Sequence, residues 1–335
     1  MAVRVAAIGM NHWHSLYDAA YLRHLNEMPD VEIVAIQDED KSIAQHRATE
    51  LGISPSIFID YRQMIESINP DFVLALGRHD KMAEYCEYLI TSGIPFIMEK
   101  PMSFTSKELK PLVDLAKDKN AFTSVPLQQR MSEFSVYAKE LIKTNQFGPI
   151  THFYSRLNRP TSERYPKWGS PWMLDPTISN GGCLRNLGTH GIDIFLHLTG
   201  ESQDIEVTGA QLSWDTYNQS VEDYASILLK SKSGILGTIE IGNSFPSDGT
   251  DGEWKIAFKH AILSNRDNVT TLYTEDGSTT INLPKPNGSP ALQAAINAFK
   301  NKTPPPITIE DCYNAVRIID LSYLKAGNPY NSAAV

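Results

Sequence analysis

The sequence predicts an α/β fold joined to an α+β one: an N-terminal doubly wound parallel sheet, then a domain on a large, mostly antiparallel open sheet. Three observations lead there. From Val3 to Ser124, short β-branched and apolar runs alternate with amphipathic stretches, the rhythm of parallel strands joined by helices. After Gly148-Pro149 the apolar runs lengthen and alternate residue by residue, as strands with one solvated face do. At 335 residues, with 41% hydrophobic, the chain exceeds one small core and can bury two. The expected domains are residues 1–125, binding a dinucleotide, and 126–335, binding substrate and carrying oligomer contacts.

Taken in order, Val3–Ile8, Glu32–Asp38, Phe72–Leu76, Ile94–Met98 and Ala121–Ser124 read as the parallel strands. Helices are predicted over Ser15–Met28, Ser42–Leu51, Lys81–Ser92 and Ser106–Lys119; Ser106 caps the last, Glu108 lies in its first turn, and Gly52 and Gly93 stop two others. A helix over Ser132–Thr144 closes at Gly148-Pro149. Alternating runs follow at Ile150–Leu157, Ile205–Ser213, Tyr224–Lys230, Gly237–Ile241, Trp254–Phe258, Val269–Thr274 and Thr279–Leu283, separated by turn signals such as Asp276-Gly277-Ser278. Asn186–Thr199 and Glu310–Lys325 read as helices on that second sheet.

Charge and composition exclude several classes. Lys plus Arg number 30 against 39 Asp plus Glu, and no basic block offers a footprint for a phosphate backbone, so nucleic acid is not the expected partner. No apolar run is long enough to span a membrane, and the first strand begins at Val3 without the basic start and apolar core of a signal peptide; a cytoplasmic location is expected. Cys86, Cys183 and Cys312 are scattered, fit no zinc spacing and read as packing residues. No metal is expected: His12 and His14 lack a third ligand at suitable spacing.

Chemistry concentrates at Glu99-Lys100-Pro101, directly after the strand Ile94–Met98, where an open α/β sheet places its active residues. Burial there would lower the proton affinity of Lys100, and Pro101 fixes the backbone beside it; a solvated lysine after a strand fits the tripeptide equally. Gly9 follows the first strand, where backbone amides can approach a pyrophosphate. The fingerprint G-x-G-x-x-G is here Gly9-Met10-Asn11-His12-Trp13-His14: Asn11 tolerates the second glycine position, whereas His14 stands where the third glycine permits close packing. His12, Trp13 and His14 lie either beside a pyrophosphate or toward a nicotinamide pocket. Asp38, ending the second strand, can bind ribose hydroxyls and repel a 2′-phosphate, or simply start a turn. NAD is therefore expected over NADP.

These residues resemble the glucose-fructose oxidoreductase, inositol dehydrogenase and MocA (Gfo/Idh/MocA) family of nicotinamide-dependent sugar and polyol oxidoreductases, over nearly the whole chain. The likeness rests on the first strand with Gly9, on Asp38, on Glu99-Lys100-Pro101, on Trp172 with Asp175-Pro176, and on the run Gly181-Gly182 through Asn186, His190 and Asp193. It implies a Rossmann-type first domain and a homo-dimer or homo-tetramer formed through the open sheet face. Lys100 and His190 would be the catalytic pair, joined by Asn186, which falls where the family usually has Asp and cannot ionise. Asn186 and His190 share a helix face at i, i+4, with Asp193 one turn on, as a structural residue more readily than as a stand-in. Gly9, Asn11, His12, Trp13, Asp38, Glu99 and Pro101 would hold the cofactor, with Glu99 toward the sheet edge or the cofactor loop. Gly77-Arg78-His79-Asp80, where relatives often have Thr-Pro-Asn, would also line it.

Arg156, Trp168, Trp172 and Arg185 read as substrate-binding, their aromatic faces and guanidinium groups suiting a sugar ring, neutral or bearing an anionic group; a solvated loop would explain the charges as well. The expected reaction is hydride transfer between nicotinamide and a secondary alcohol of a sugar, sugar derivative or polyol. Two other readings stay open. One is an oxidative glycosidase that uses bound NAD transiently; the other is a dinucleotide-sensing regulatory protein without turnover.

Overall fold

The N-terminal rhythm becomes a six-stranded parallel sheet in the computed structural model, which describes residues 2–282, 288–327 and 330. Its elements are β1 Val3–Ile8, α1 Tyr21–Glu27, β2 Val31–Gln37, α2 Lys41–Leu51, β3 Ser56–Phe58, α3 Tyr61–Ile68, β4 Phe72–Ala75, α4 His79–Thr91, β5 Phe96–Met98, α5 Ser106–Asp118 and β6 Thr123–Ser124. Then come α6 Glu133–Thr144, β7 Ile150–Pro160, the short turns α7 Arg164–Lys167 and α8 Pro176–Ser179, and α9 Cys183–Thr199. Strands β8 Glu206–Ser213, β9 Tyr224–Lys230, β10 Leu236–Phe245, β11 Asp251–Phe258, β12 Ile262–Arg266, β13 Val269–Thr274 and β14 Gly277–Ile281 precede α10 Pro290–Lys300 and α11 Ile309–Lys325.

Contacts divide the chain into two units: 1–126 with 165–179 and 288–313, and 127–164 with 180–287 and 314–335. This differs from two contiguous blocks meeting at 125/126, for a visible reason. Leu292, Ala295 and Ile296 of α10, which the sequence reading did not anticipate, sit in the core formed by Phe72, Leu74 and Ile97, and the Val125 amide donates to the Ile307 carbonyl at 3.2 Å. Likewise Tyr165, Trp172 and Met173 pack on Trp13.

In the first unit the strand order is β3-β2-β1-β4-β5-β6, so the order reverses between β1 and β4. The crevice outside the carboxyl ends at such a reversal is where doubly wound sheets bind ligands. Gly9 turns out of β1 there with φ +75°, and a Cβ on it would lie 2.6 Å from the Leu76 carbonyl oxygen that follows β4. Only glycine lets the two strand ends come this close. The helix expected over Ser15–Met28 is instead a single 3-10 turn, Trp13–Ser15, and the shorter α1, because Asp18 (φ 56°) and Ala20 (φ 45°) are left-handed and break the helical path.

The second unit is an eight-stranded sheet, β14-β13-β12-β11-β7-β10-β9-β8, antiparallel except for the β7/β10 pair. The predicted strand Thr279–Leu283 is observed as β14; Leu283 lies outside the described residues. Phe153 and Ser155 of β7 are buried while Tyr154 and Arg156 point to the other face, the alternation that the sequence showed. Helix α9 lies on the buried face: at Gly191 a Cβ would come within 2.6 Å of Ser155 Oγ and 2.7 Å of Ile239.

The N-terminus of α9 has no side-chain cap of its own. Glu222, 1% exposed, supplies one, accepting from the Gly182 and Leu184 amides at 2.8 and 2.9 Å and from the Tyr323 hydroxyl at 2.7 Å. The Gly181-Gly182 pair is therefore more than a loop: a Cβ on Gly182 would sit 2.2 Å from the Glu222 carbonyl oxygen. Replacing Gly182 by Ala should lower stability by roughly 1–3 kcal/mol, read as a lower urea midpoint at unchanged m value. An unchanged midpoint would show that this approach can relax without penalty.

Candidate functional site

Lys100 follows β5 at the carboxyl edge of the parallel sheet, across a cis peptide to Pro101, and is 1% exposed. Its neighbour Glu99 is equally buried and turns toward the loop after β1. Glu99 Oε1 accepts from the Lys100 amide at 3.0 Å and lies 3.9 Å from Lys100 Nζ, while Oε2 is 2.9 Å from His14 Nδ1. His14 Nε2 faces Asp18 Oδ2 at 3.5 Å, so one imidazole stands between two carboxylates.

The charges follow from this packing. Burial alone would push Glu99 up, but His14 and Lys100 outweigh it and hold the carboxyl well below its usual range. Burial pulls His14 down, yet Glu99 and Asp18 raise it above its ordinary value. Lys100 is lowered, because burial prevails over the opposing attraction of Glu99. His12 is lowered well below its ordinary value, by burial first and by His14 next, and is neutral. The His14 amide donates to His12 Nδ1 at 3.1 Å, so that nitrogen holds the lone pair and the proton sits on Nε2.

Around this pair the first unit builds an aromatic wall. His12 stacks on Trp13 at 4.0 Å between centroids, Trp13 meets Tyr165 edge-on at 4.8 Å, and Trp172 stands 5.8 Å from His12 and 5.1 Å from His79. Three buried polar atoms here, Asn11 Oδ1, His12 Nε2 and Trp172 Nε1, have no hydrogen-bond partner. Buried donors and acceptors of this kind await a polar ligand or ordered water. Together with the Gly9 turn they suit a dinucleotide and a hydroxylated partner. Asp38, also 1% exposed, accepts from the Asn11 amide at 2.6 Å and the Asp40 amide at 3.0 Å, pinning the loop from β2. Arg78 is engaged by Asp80 at 3.0 Å.

In the second unit Asn186 is buried, and His190 is the only residue from Cys183 to Asp193 on α9 that is half-exposed. Asp193 is fully buried, with Arg130 Nε at 3.0 and 2.9 Å from its two oxygens; it is a structural helix residue.

Of the four residues read as substrate-binding, Trp168 and Trp172 belong to the first unit and Arg156 and Arg185 to the second. Trp172 joins His12. Trp168 stacks on Tyr17 at 6.0 Å, and its carbonyl accepts from Arg47 at 3.1 Å. Arg156 lies on the sheet face away from α9, paired to Asp251 at 2.8 Å. Arg185 is 1% exposed, paired to Asp320 at 2.8 Å with its guanidinium over the Tyr323 ring, where it mounts α9. Sequence reasoning assigned those arginines a substrate role or a solvated loop, and their partners Asp251 and Asp320 are too distant in the chain to show in a local pattern. It also missed Glu222 and Asp18, and read His14 as a lost glycine beside the pyrophosphate or the nicotinamide pocket, without its pairing to Glu99.

The buried pair gives stability a pH signature. Raised His14 contributes fully below its unfolded value of 6.5 and loses that contribution as pH climbs through the folded value; lowered Glu99 contributes above 4.5 and loses it as pH falls. His14→Gln should therefore destabilise the protein more at about pH 5.5 than at about pH 9, measured by urea unfolding. Equal losses at both would refute the ionised pair.

Comparison with known families gives the same architecture. Residues 3–126 match the oxidoreductase family, NAD-binding Rossmann fold, and residues 135–264 match the GFO/IDH/MocA C-terminal domain. Levoglucosan dehydrogenase of Pseudarthrobacter phenanthrenivorans is 27% identical over 193 residues, 57% of this chain and 49% of that one. The chain spans about half the length of the first curated relatives it matches. The scyllo-inositol 2-dehydrogenase (NADP(+)) of Bacillus subtilis is 25% identical over 88% of this chain and 80% of its own. Among solved structures, an Agrobacterium radiobacter oxidoreductase in complex with NAD+, L-tartaric acid and magnesium aligns with a TM-score of 0.83 at 14% identity, covering 98% of this chain and 97% of that one. Levoglucosan dehydrogenase with NADH and levoglucosan aligns at 0.82 and 20%, covering 98% of both. No described helix is long and apolar enough to cross a membrane. With both domain families matched in order over more than half of its length, the chain belongs to the Gfo/Idh/MocA oxidoreductases.

Proposed function

We propose that this oxidoreductase moves a hydride between NAD and a secondary alcohol of a sugar, sugar derivative or polyol, with Lys100 and His190 handling the proton. One observation carries the reading: an amine at the carboxyl end of β5, 1% exposed, whose proton affinity burial lowers. An uncharged amine can take a hydroxyl proton; a firmly protonated one cannot. The sugar and polyol dehydrogenases among the relatives support the substrate class.

NAD, when bound, supplies the hydride acceptor. Gly9, Asn11, His12 and Trp13 would hold it at the turn after β1, Asp38 would accept from ribose hydroxyls, and Glu99 and Pro101 would border its reactive end. His12 Nε2–H and Trp172 Nε1–H offer donors to acceptor oxygens, and the Trp172 ring offers an apolar face to a sugar. His190 would exchange the alcohol proton with solvent, and the Asn186 amide, on the same helix face, would hydrogen-bond the substrate.

The carboxylates Asp38, Glu39 and Asp40 after β2 disfavour a 2′-phosphate, and nearby Arg78 is already engaged by Asp80. Titration with both nucleotides should find NAD bound roughly tenfold or more tighter than NADP; equal binding would remove Asp38 from the ribose site. Turnover with NAD should appear on a panel of neutral sugars, polyols and uronates, and Lys100→Met should lower it by roughly two to four orders of magnitude with the fold intact. Full activity in that variant would overturn the role given to Lys100, and cleaved glycosides without net NADH would mark the oxidative glycosidase instead.

A further inference from the structure

A buried Lys100 beside a buried Glu99 poses an electrostatic problem. Left alone, the carboxylate 3.9 Å from Nζ would hold the lysine proton in place. The structure contains a third member. His14, 85 positions from Glu99 in the chain, occupies the place of the third fingerprint glycine and sets its Nδ1 2.9 Å from Glu99 Oε2. We infer that His14 neutralises Glu99 and thereby frees the Lys100 amine to act as a base, making His14 a positioning residue for the proton transfer. The inference rests on the catalytic reading of Lys100.

The surroundings fit. Asp18 Oδ2 lies 3.5 Å from His14 Nε2, so carboxylates on both sides raise the proton affinity of the imidazole. His12, from the same loop, is neutral and adds no competing charge. The ring of Tyr21 from α1 closes the remaining face edge-on at 5.8 Å. From the other elements, His79 at the start of α4 acts on His12, and Cys312 of α11 and Asp18 act on Lys100. The His14 cation offsets Glu99 beside the amine, and burial outweighs the remaining pull of Glu99, Asp18 and Cys312 on its proton. A glycine at position 14 could not do this.

The test reads Lys100 directly, without turnover. Protein carrying [13Cε]lysine is titrated by NMR, the Lys100 signal being identified by its loss in Lys100→Met. In the wild type it should titrate below an ordinary lysine. His14→Gln keeps a hydrogen-bond donor for Glu99 but removes the cation, and should raise the Lys100 midpoint by roughly 1–2 pH units. His14→Gln with Glu99→Gln removes both charges and should return the midpoint toward wild type. A Lys100 midpoint that stays put in His14→Gln overturns the inference, since a purely structural histidine would change stability alone. Should the variants fail to fold, the wild-type His14 imidazole decides it by 15N NMR: it must remain protonated across the range in which Lys100 loses its proton, and a neutral ring there also refutes the inference. Loss of turnover in Lys100→Met beside an unmoved midpoint would leave the dehydrogenase reading standing and sink this one only.

Discussion

A carboxylate with 1% of its surface exposed keeps its charge only if the protein surrounds it with cations and donors, and Glu99 is such a group. The first unit answers with the Lys100 amide, the His14 imidazole and the Lys100 ammonium or amine. Once Glu99 is ionised there, the loop after β1 cannot move without stranding it. The shape of that loop descends from this one requirement, whereas burial lowers the proton affinity of His12 and Lys100 against the pull of Glu99.

The second unit meets a different constraint, that of seating a long helix on a sheet with no room for side chains at the contact. Glycine at 191 closes the distance to β7 and β10, and glycine at 182 lets the chain pass the Glu222 backbone. Glu222 then serves the open amides at the start of α9, while Arg185 and Asp320 tie the same turn to α11. Burial of nearly every residue from Cys183 to Asp193 leaves His190 as the group this mounting presents.

Much of this was legible before any coordinates. Alternating runs locate most strands of both sheets, since burial on one face or two leaves a period that composition alone preserves. The short β3 and helix α3 were not foreseen, because three residues carry no period. Nor was α10, whose apolar face belongs to a core made mostly of residues two hundred positions earlier. Lys100 was marked by its place after a strand and His190 and Asn186 by the family resemblance, whereas the fates of Arg156 and Arg185 depended on Asp251 and Asp320, partners that no local pattern announces. His14 shows the limit most clearly: its identity was in view, and its meaning required Glu99 beside it.

Asp38 follows β2 and Lys100 follows β5, at separate places on the carboxyl edge of the parallel sheet. Here a hydrogen-bonded path runs between them. Asp38 accepts from the Asn11 amide, the next residue's Nδ1 accepts from the His14 amide, and His14 meets Glu99, which accepts from the Lys100 amide. A glycine-rich loop would have left those ends independent, held only by the dinucleotide between them. Substituting Asn, His and His for glycines and small residues hands that task to the protein, so the loop is fixed from both sides before any ligand arrives. Preorganisation of this kind removes an ordering cost from binding, which is how a chain with only one fingerprint glycine can still serve as a dinucleotide site.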